Sequence, residues 1–176
     1  MTEGLPLTHS YNLARLGHAG DVVTFAADDA ARAAIARWAG ILSLEGLEAK
    51  VAIKKLGPVR FGLDFSVTAD VTQACVVTLE PVPAHLEHSF HRELHFTGPI
   101  RAKLGAESAP DLVLDSLEEE GPEEISSLHY DLGVPVLEEF ALALEPYPRC
   151  PGVEYAPPGS GLEAPESPFA VLKALK

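Results

Sequence analysis

The 176-residue chain has little of what usually announces chemistry. It carries two cysteines, Cys75 and Cys150, too few for a disulfide scaffold in a chain of this length. Neither has a second cysteine three residues away, so no zinc-ribbon spacing exists. There is no Gly-rich phosphate loop, no serine elbow and no paired acids in a recognisable frame. Tryptophan occurs once, and basic residues number 13 against 26 acidic ones. No apolar run approaches the ~20 residues a membrane helix needs. Met1 to Ser10 has neither a basic start nor an apolar run, so no signal peptide is expected. These absences point to a soluble, cytoplasmic, non-catalytic protein without metal or cofactor.

What is present is β-patterning. From Val59 every second residue is apolar: Val59, Phe61, Leu63, Phe65, Val67, Ala69 and Val71. Arg60, Gly62, Asp64, Ser66, Thr68 and Asp70 lie between them. Such alternation buries one face of a strand and wets the other. It runs on through Cys75, Val77 and Leu79 and breaks at Glu80-Pro81-Val82-Pro83, because prolines cannot donate ladder hydrogen bonds. It resumes with Leu86, Phe90, Leu94 and Phe96 inward, and with His85, Glu87, Ser89, His91, Glu93 and His95 outward. The pattern predicts a long hairpin over residues 59–96 with its tip near Pro81.

Upstream, Ser10 to Leu16 holds a candidate short strand, and Asp21 to Ala27 a β-branched one. Asp28 and Asp29 are N-cap candidates for a helix over Ala30 to Ala39 that stops at Gly40. Ala31, Ile35, Trp38 and Leu42 form its expected apolar face, with Trp38 read as core. Leu47, Ala49, Val51 and Ile53 alternate with polar neighbours in a further strand, and Leu56-Gly57-Pro58 turns it into the hairpin. The order of elements predicts an α+β fold: an antiparallel β-sheet or partly closed barrel around the hairpin, with two main helices packed on it.

Beyond Gly98-Pro99 the character changes. Residues 1–103 hold ten basic and eleven acidic groups, whereas 104–176 hold three basic against fifteen acidic. An acidic loop is expected at about 105–124, including Glu118, Glu119 and Glu120. Ile125 to Leu132 is a candidate strand returning to the sheet. Pro135 suits the first position of a second helix, with Glu138 and Glu139 near its N-terminus and Val136, Leu137, Phe140, Ala141 and Leu144 as its stripe. Pro146 and Pro148 end it. Residues 1–150 are expected to form one domain, and 151–176 an irregular Pro/Gly-rich tail with a short apolar ending.

Each candidate for chemistry has a plain alternative. His85, His88, His91 and His95 fall within eleven residues. On a strand, the outward pair His91 and His95 are roughly 13 Å apart, too far for one small ion. A solvated strand face accounts for them, with His88 turned inward as a hydrogen-bonded or barrel-end histidine. Cys75 reads as a small buried apolar side chain with no local base to activate it, and Cys150 as a free thiol in a Pro-rich loop. The acidic back half repels a phosphate backbone and favours basic partners; it also simply confers solubility. Lys50, Lys54, Lys55, Arg60, Arg92 and Arg101 form an RNA-binding patch if they share one face.

The run Cys75-Val76-Val77-Thr78-Leu79-Glu80-Pro81-Val82 resembles the central motif of the YceD family, the large ribosomal RNA subunit accumulation proteins. Asp131-Leu132-Gly133, then Val136 to Leu144 and Glu145-Pro146-Tyr147-Pro148-Arg149, resembles its second signature. Ser167-Pro168-Phe169-Ala170-Val171-Leu172-Lys173-Ala174-Leu175-Lys176 is similar to its C-terminal motif. The helix at Ala27 to Gly40 also fits, and the overall character is similar to the alphaproteobacterial branch. The resemblance implies a role in large-subunit ribosomal RNA synthesis, processing or stability and in ribosome assembly, with no catalytic residues to carry over. Many relatives have Cys-x-x-Cys in the central motif; Thr78 stands at the second position here, which argues against a metal. The expected partner is a basic ribosomal protein or assembly factor, met through Glu118, Glu119, Glu120, Glu138 and Glu139, with large-subunit RNA itself as the alternative. A Cys- or His-dependent enzyme, resting on Cys75 and His91, is the remaining alternative.

Overall fold

The structure, a computed structural model, describes residues 5–98 and 121–154. The elements run β1 (Ser10–Asn12), a 3-10 turn (Leu13–Arg15), β2 (Asp21–Ala26), α1 (Asp29–Ala39), β3 (Ser43–Lys55), β4 (Arg60–Ala74), β5 (Pro81–Phe96), β6 (Glu123–Ile125), β7 (His129–Asp131) and α2 (Gly133–Ala143). The main sheet has the order β2-β3-β4-β5-β6 and stays open; β1 and β7 make a separate two-stranded ribbon. The fold is α+β, with an open sheet where a partly closed barrel was the alternative.

The alternation in the sequence sets the register. Val51, Phe65 and Phe90 stand side by side across β3, β4 and β5 on the inner face. Ile53, Leu63, Val51, Val71 and Leu94 there are fully or almost fully buried. Phe65 and Phe90 stack with ring centroids 4.5 Å apart. The other face, bearing Lys50, Ser66 and Ser89 in one row, is exposed. Cross-strand pairs hold it: Lys54 with Asp64 at 3.2 Å, and Arg60 with Glu93.

The helices cover the inner face. Asp28 caps α1 by accepting from the Ala31 N–H at 2.7 Å, and Gly40 closes it in the left-handed region at φ 68°. Ile35 and Ala36 are its buried residues. Trp38 is 46 % exposed and Leu42 55 % exposed, against the expectation that both face the core. At ~100° per residue, Ala39 falls between Ile35 and Ala36 and marks the stripe's centre; Trp38 lies roughly 100° round from it. In α2, Val136, Leu137 and Phe140 are buried, but Ala141 is exposed. Pro135 is the third helical residue rather than the first.

Three further expectations change. The hairpin turn is Cys75–Glu80, so Pro81 and Pro83 lie inside β5, and Cys75 lies just past β4 rather than mid-strand. Glu123 and Glu124 belong to β6 rather than to an acidic loop. Ile125 to Leu132 is two short strands: β6 joins β5 in parallel, while β7 pairs with β1. No helix among the described residues is long and apolar enough to cross a membrane.

Candidate functional site

The two inner signatures meet at one end of the sheet. The turn after β4 is closed by its own backbone: Cys75 N–H donates to the Glu80 carbonyl at 2.8 Å, and Leu79 N–H to the Cys75 carbonyl at 2.9 Å. The segment after α2 lies against this turn. Val76 N–H donates to the Pro148 carbonyl at 2.9 Å, and the Gln73 side-chain amide to the Glu145 carbonyl at 2.9 Å. Pro148 is buried, whereas Pro146, Tyr147 and Arg149 are exposed.

The sulfur atoms sit inside this junction. Cys75 is fully buried, and the Cys150 backbone N–H points at its Sγ at 3.4 Å. Thr78 Oγ1 lies 3.8 Å from Cys150 Sγ and 3.3 Å from a Glu80 carboxylate oxygen. That oxygen is also 3.8 Å from Cys150 Sγ. The Thr78 hydroxyl, with backbone N–H groups of Thr78, Cys150 and Val77, brings the Cys75 thiol down to about 6 against the opposing effect of burial. The same hydroxyl pulls the Cys150 thiol down, but burial, the Cys75 sulfur and Glu80 outweigh it and leave that thiol above its ordinary value. The surrounding donors thus favour negative charge on Cys75 over Cys150.

Leu79 sits at the tip with φ 62°, the one non-glycine residue of positive φ among the described residues, and is 76 % exposed. Val76 and Tyr147 are also large exposed apolar residues at this junction. Strained, exposed and apolar together is a combination that folding alone does not favour.

The rest of the second signature is structural. The Asp131 carboxylate accepts from the N–H groups of His9 at 2.7 Å and Gly133 at 2.9 Å, so it ties the N-terminal segment to the start of α2. Leu132 is fully buried. A Cβ on Gly133 would sit 2.6 Å from the Leu7 carbonyl oxygen. Glu138 and Glu139 are engaged within the chain. Arg92 reaches Glu138 at 2.7 Å and Glu139 at 3.5 Å, and His88 Nε2 meets Glu139 at 3.1 Å. Arg92 thus points inward from β5 and joins it to α2, and it also comes within 3.7 Å of Glu123 on β6.

The six basic residues expected to form an RNA-binding patch do not share a face. Lys50, Lys54 and Arg60 are on the outer face, Lys55 follows Lys54 and points the other way, and Arg92 is turned to α2. Arg101 lies outside the described residues, as do Glu118, Glu119, Glu120, Pro168 and Phe169. Cys75 and His91 do not form a dyad: ten residues of β5 separate His91 from Pro81, which pairs with Ala74, or roughly 33 Å of strand. His91 Nδ1 instead meets Asp64 at 2.7 Å. Among the described residues, no three His, Cys, Asp or Glu side chains are grouped to hold a metal ion.

Sequence reading missed the contact of Cys75 with Cys150. The available signal was that the chain's two cysteines each adjoin a motif, one opening the first and one directly after the second.

These features define an α+β protein in which the turn after β4 and the segment after α2 build a packed junction, capped by exposed apolar side chains. The chain belongs to the YceD family: the profile described as large ribosomal RNA subunit accumulation protein YceD matches residues 63–176. The match begins within β4, at Leu63, and runs through everything after it, including the three segments that resemble family motifs, while α1 lies outside it. The family description concerns the accumulation of large-subunit ribosomal RNA and names no reaction. Neither the comparison with curated proteins nor that with solved structures gave a match.

Proposed function

We propose that this protein is a non-catalytic, cytoplasmic factor in large-subunit ribosomal RNA accumulation and ribosome assembly, acting by binding a basic ribosomal protein or another assembly factor. The observation that carries the reading is the tip of the Cys75–Glu80 turn. Leu79 is held in an unfavourable backbone conformation and 76 % exposed, beside Val76 and the exposed Tyr147. Exposed apolar side chains on a rigid turn are anchors for a protein partner. The net charge of −13, concentrated in the back half, favours a basic partner and speeds the encounter. Direct RNA binding by the front half has less support, because its basic residues are divided between two faces and several are neutralised by neighbours.

The test is rescue of a depleted strain, read as the ratio of large- to small-subunit ribosomal RNA. The wild-type chain should restore the ratio. A Leu79→Asp/Tyr147→Asp double variant, shown to be folded, should not. Full rescue by that variant would remove the turn as the contact. Sedimentation at low salt with and without ribonuclease then separates a protein contact, which survives digestion, from an RNA contact.

A further inference from the structure

We infer that Cys75 and Cys150 form a redox pair, oxidised by small disulfides to an intrachain bond that locks the post-α2 segment onto the β4–β5 turn. Geometry carries this. The Cys150 N–H donates to Cys75 Sγ at 3.4 Å, which keeps the Cys150 Cα within about 5 Å of that sulfur. A disulfide spans such a separation with a rotation of the Cys150 side chain. The Val76–Pro148 backbone bond and the Gln73–Glu145 bond hold the two segments in that position while the thiols are reduced. The pair is thus pre-assembled by contacts that do not involve sulfur.

The two sulfurs differ in access and in charge. Cys75 is fully buried, while Cys150 is half-buried, with its Sγ 3.8 Å from a Glu80 carboxylate oxygen. Donors around Cys75 favour its thiolate; the Cys150 thiol keeps its proton longer. This assigns an order. Cys150, on losing its proton, attacks one sulfur of a small disulfide such as oxidised glutathione. The S–S bond breaks, and one small thiolate leaves and takes up a proton. The Cys75 thiolate then attacks the Cys150 sulfur of the mixed disulfide, and the second small thiolate leaves. Two protein thiols are oxidised, and one small disulfide is reduced to two thiols. Because the first step needs the Cys150 thiolate, its rate rises with pH through the alkaline range.

The product ties together the two segments that carry Leu79 and Tyr147. The oxidised and reduced proteins therefore differ in the freedom of the exposed apolar end, not in the sheet.

The full reduced chain is incubated with mixtures of reduced and oxidised glutathione, quenched in acid, alkylated and mapped by mass spectrometry. The expected product is a Cys75–Cys150 cross-link with a mass loss of two hydrogens and no lasting glutathione adduct, accompanied by a rise in the thermal midpoint. In Cys75→Ser the reaction should halt at one glutathione on Cys150. In Cys150→Ser the buried Cys75 should stay reduced at least tenfold longer. A stable adduct on wild-type Cys150 without the cross-link, or two free thiols under strongly oxidising mixtures, would overturn the proposal. So would an equal rate of cross-linking in urea, since the folded geometry would then contribute nothing. The wild-type map decides the matter even where a serine variant fails to fold.

Discussion

The N–H of Val76 donates to the carbonyl of Pro148 at 2.9 Å, and through this bond the turn after β4 is fastened to the segment after α2. Val76 belongs to the turn that follows β4; Pro148 belongs to the segment that leaves α2. Their union brings the buried Cys75 against the half-buried Cys150 and leaves Val76, Leu79 and Tyr147 exposed.

Leu79 holds a left-handed conformation that a leucine adopts at a cost of ~1–2 kcal/mol. Glycine at this position is free of that strain but gives the unfolded chain more freedom, worth roughly 0.5–1 kcal/mol. Leu79→Gly should therefore keep stability within about 1 kcal/mol of wild type, and Leu79→Val should lose ~1–2 kcal/mol, because β-branching worsens the strain. Urea unfolding ranks the three. If valine proves as stable as leucine, the turn is not strained as described. A stable Leu79→Gly protein that fails in the rescue assay would separate the turn's role in binding from its role in folding.

Gly133 opens α2, where alanine would ordinarily be the better helix former by ~1 kcal/mol. Here a Cβ would meet the Leu7 carbonyl oxygen at 2.6 Å and the Thr8 Cα at 3.0 Å, both backbone. Backbone gives way less readily than a side chain, so the clash outweighs the propensity. Gly133→Ala should destabilise the protein by about 1–3 kcal/mol and should raise amide exchange over Leu7–Asn12 first. A gain in stability would show that the N-terminal strap does not lie so close to the helix start.

His85 Nδ1 sits 2.6 Å from Asp70, and this hydrogen bond raises the imidazole above its ordinary value, with a further contribution from Glu87. A raised folded-state value means that the pair's contribution to stability is fully present below pH ~6.5 and is lost as pH climbs through the raised value. In an NMR titration the His85 ring protons should move at a higher pH than an unperturbed histidine. Asp70→Asn should bring the midpoint back down. An identical midpoint in the two proteins would dismiss the pair.

The strands from Leu47 to Phe96 were legible because one face is buried and the other wet, which imposes a period of two on the side chains. The boundaries of α1 were legible because Asp28 and Gly40 act through local backbone geometry. Trp38 was not, because one helical turn alone does not reveal whether the stripe centres on Ile35 and Ala39 or on Ile35 and Trp38. The short strands β6 and β7 were merged because three-residue strands show no period; their partners, β5 and β1, decide where they lie. Arg92 is charged yet faces inward, and it is satisfied there by Glu138 and Glu139 from a helix that begins some forty residues later in the chain. The motif residues were visible in the sequence, but the meeting of Cys75 with Cys150 depends on where α2 ends, which no local pattern encodes.

The placement of Pro81 and Pro83 inside β5 has a consequence for how anything can approach this end of the sheet. Glu80 is opposite Cys75 and bonds to it, so along β5 the even-numbered residues turn their backbone groups toward β4 and the odd-numbered ones turn theirs away. Both prolines are odd. Among the described residues, β6 covers only Leu94–Phe96 of that outer edge. An incoming strand would thus find rungs missing from the ladder at 81 and 83, next to the Cys75–Glu80 turn. A partner seated at this end must engage it side chain to side chain, and the chain is protected there from pairing edge to edge with its own copies.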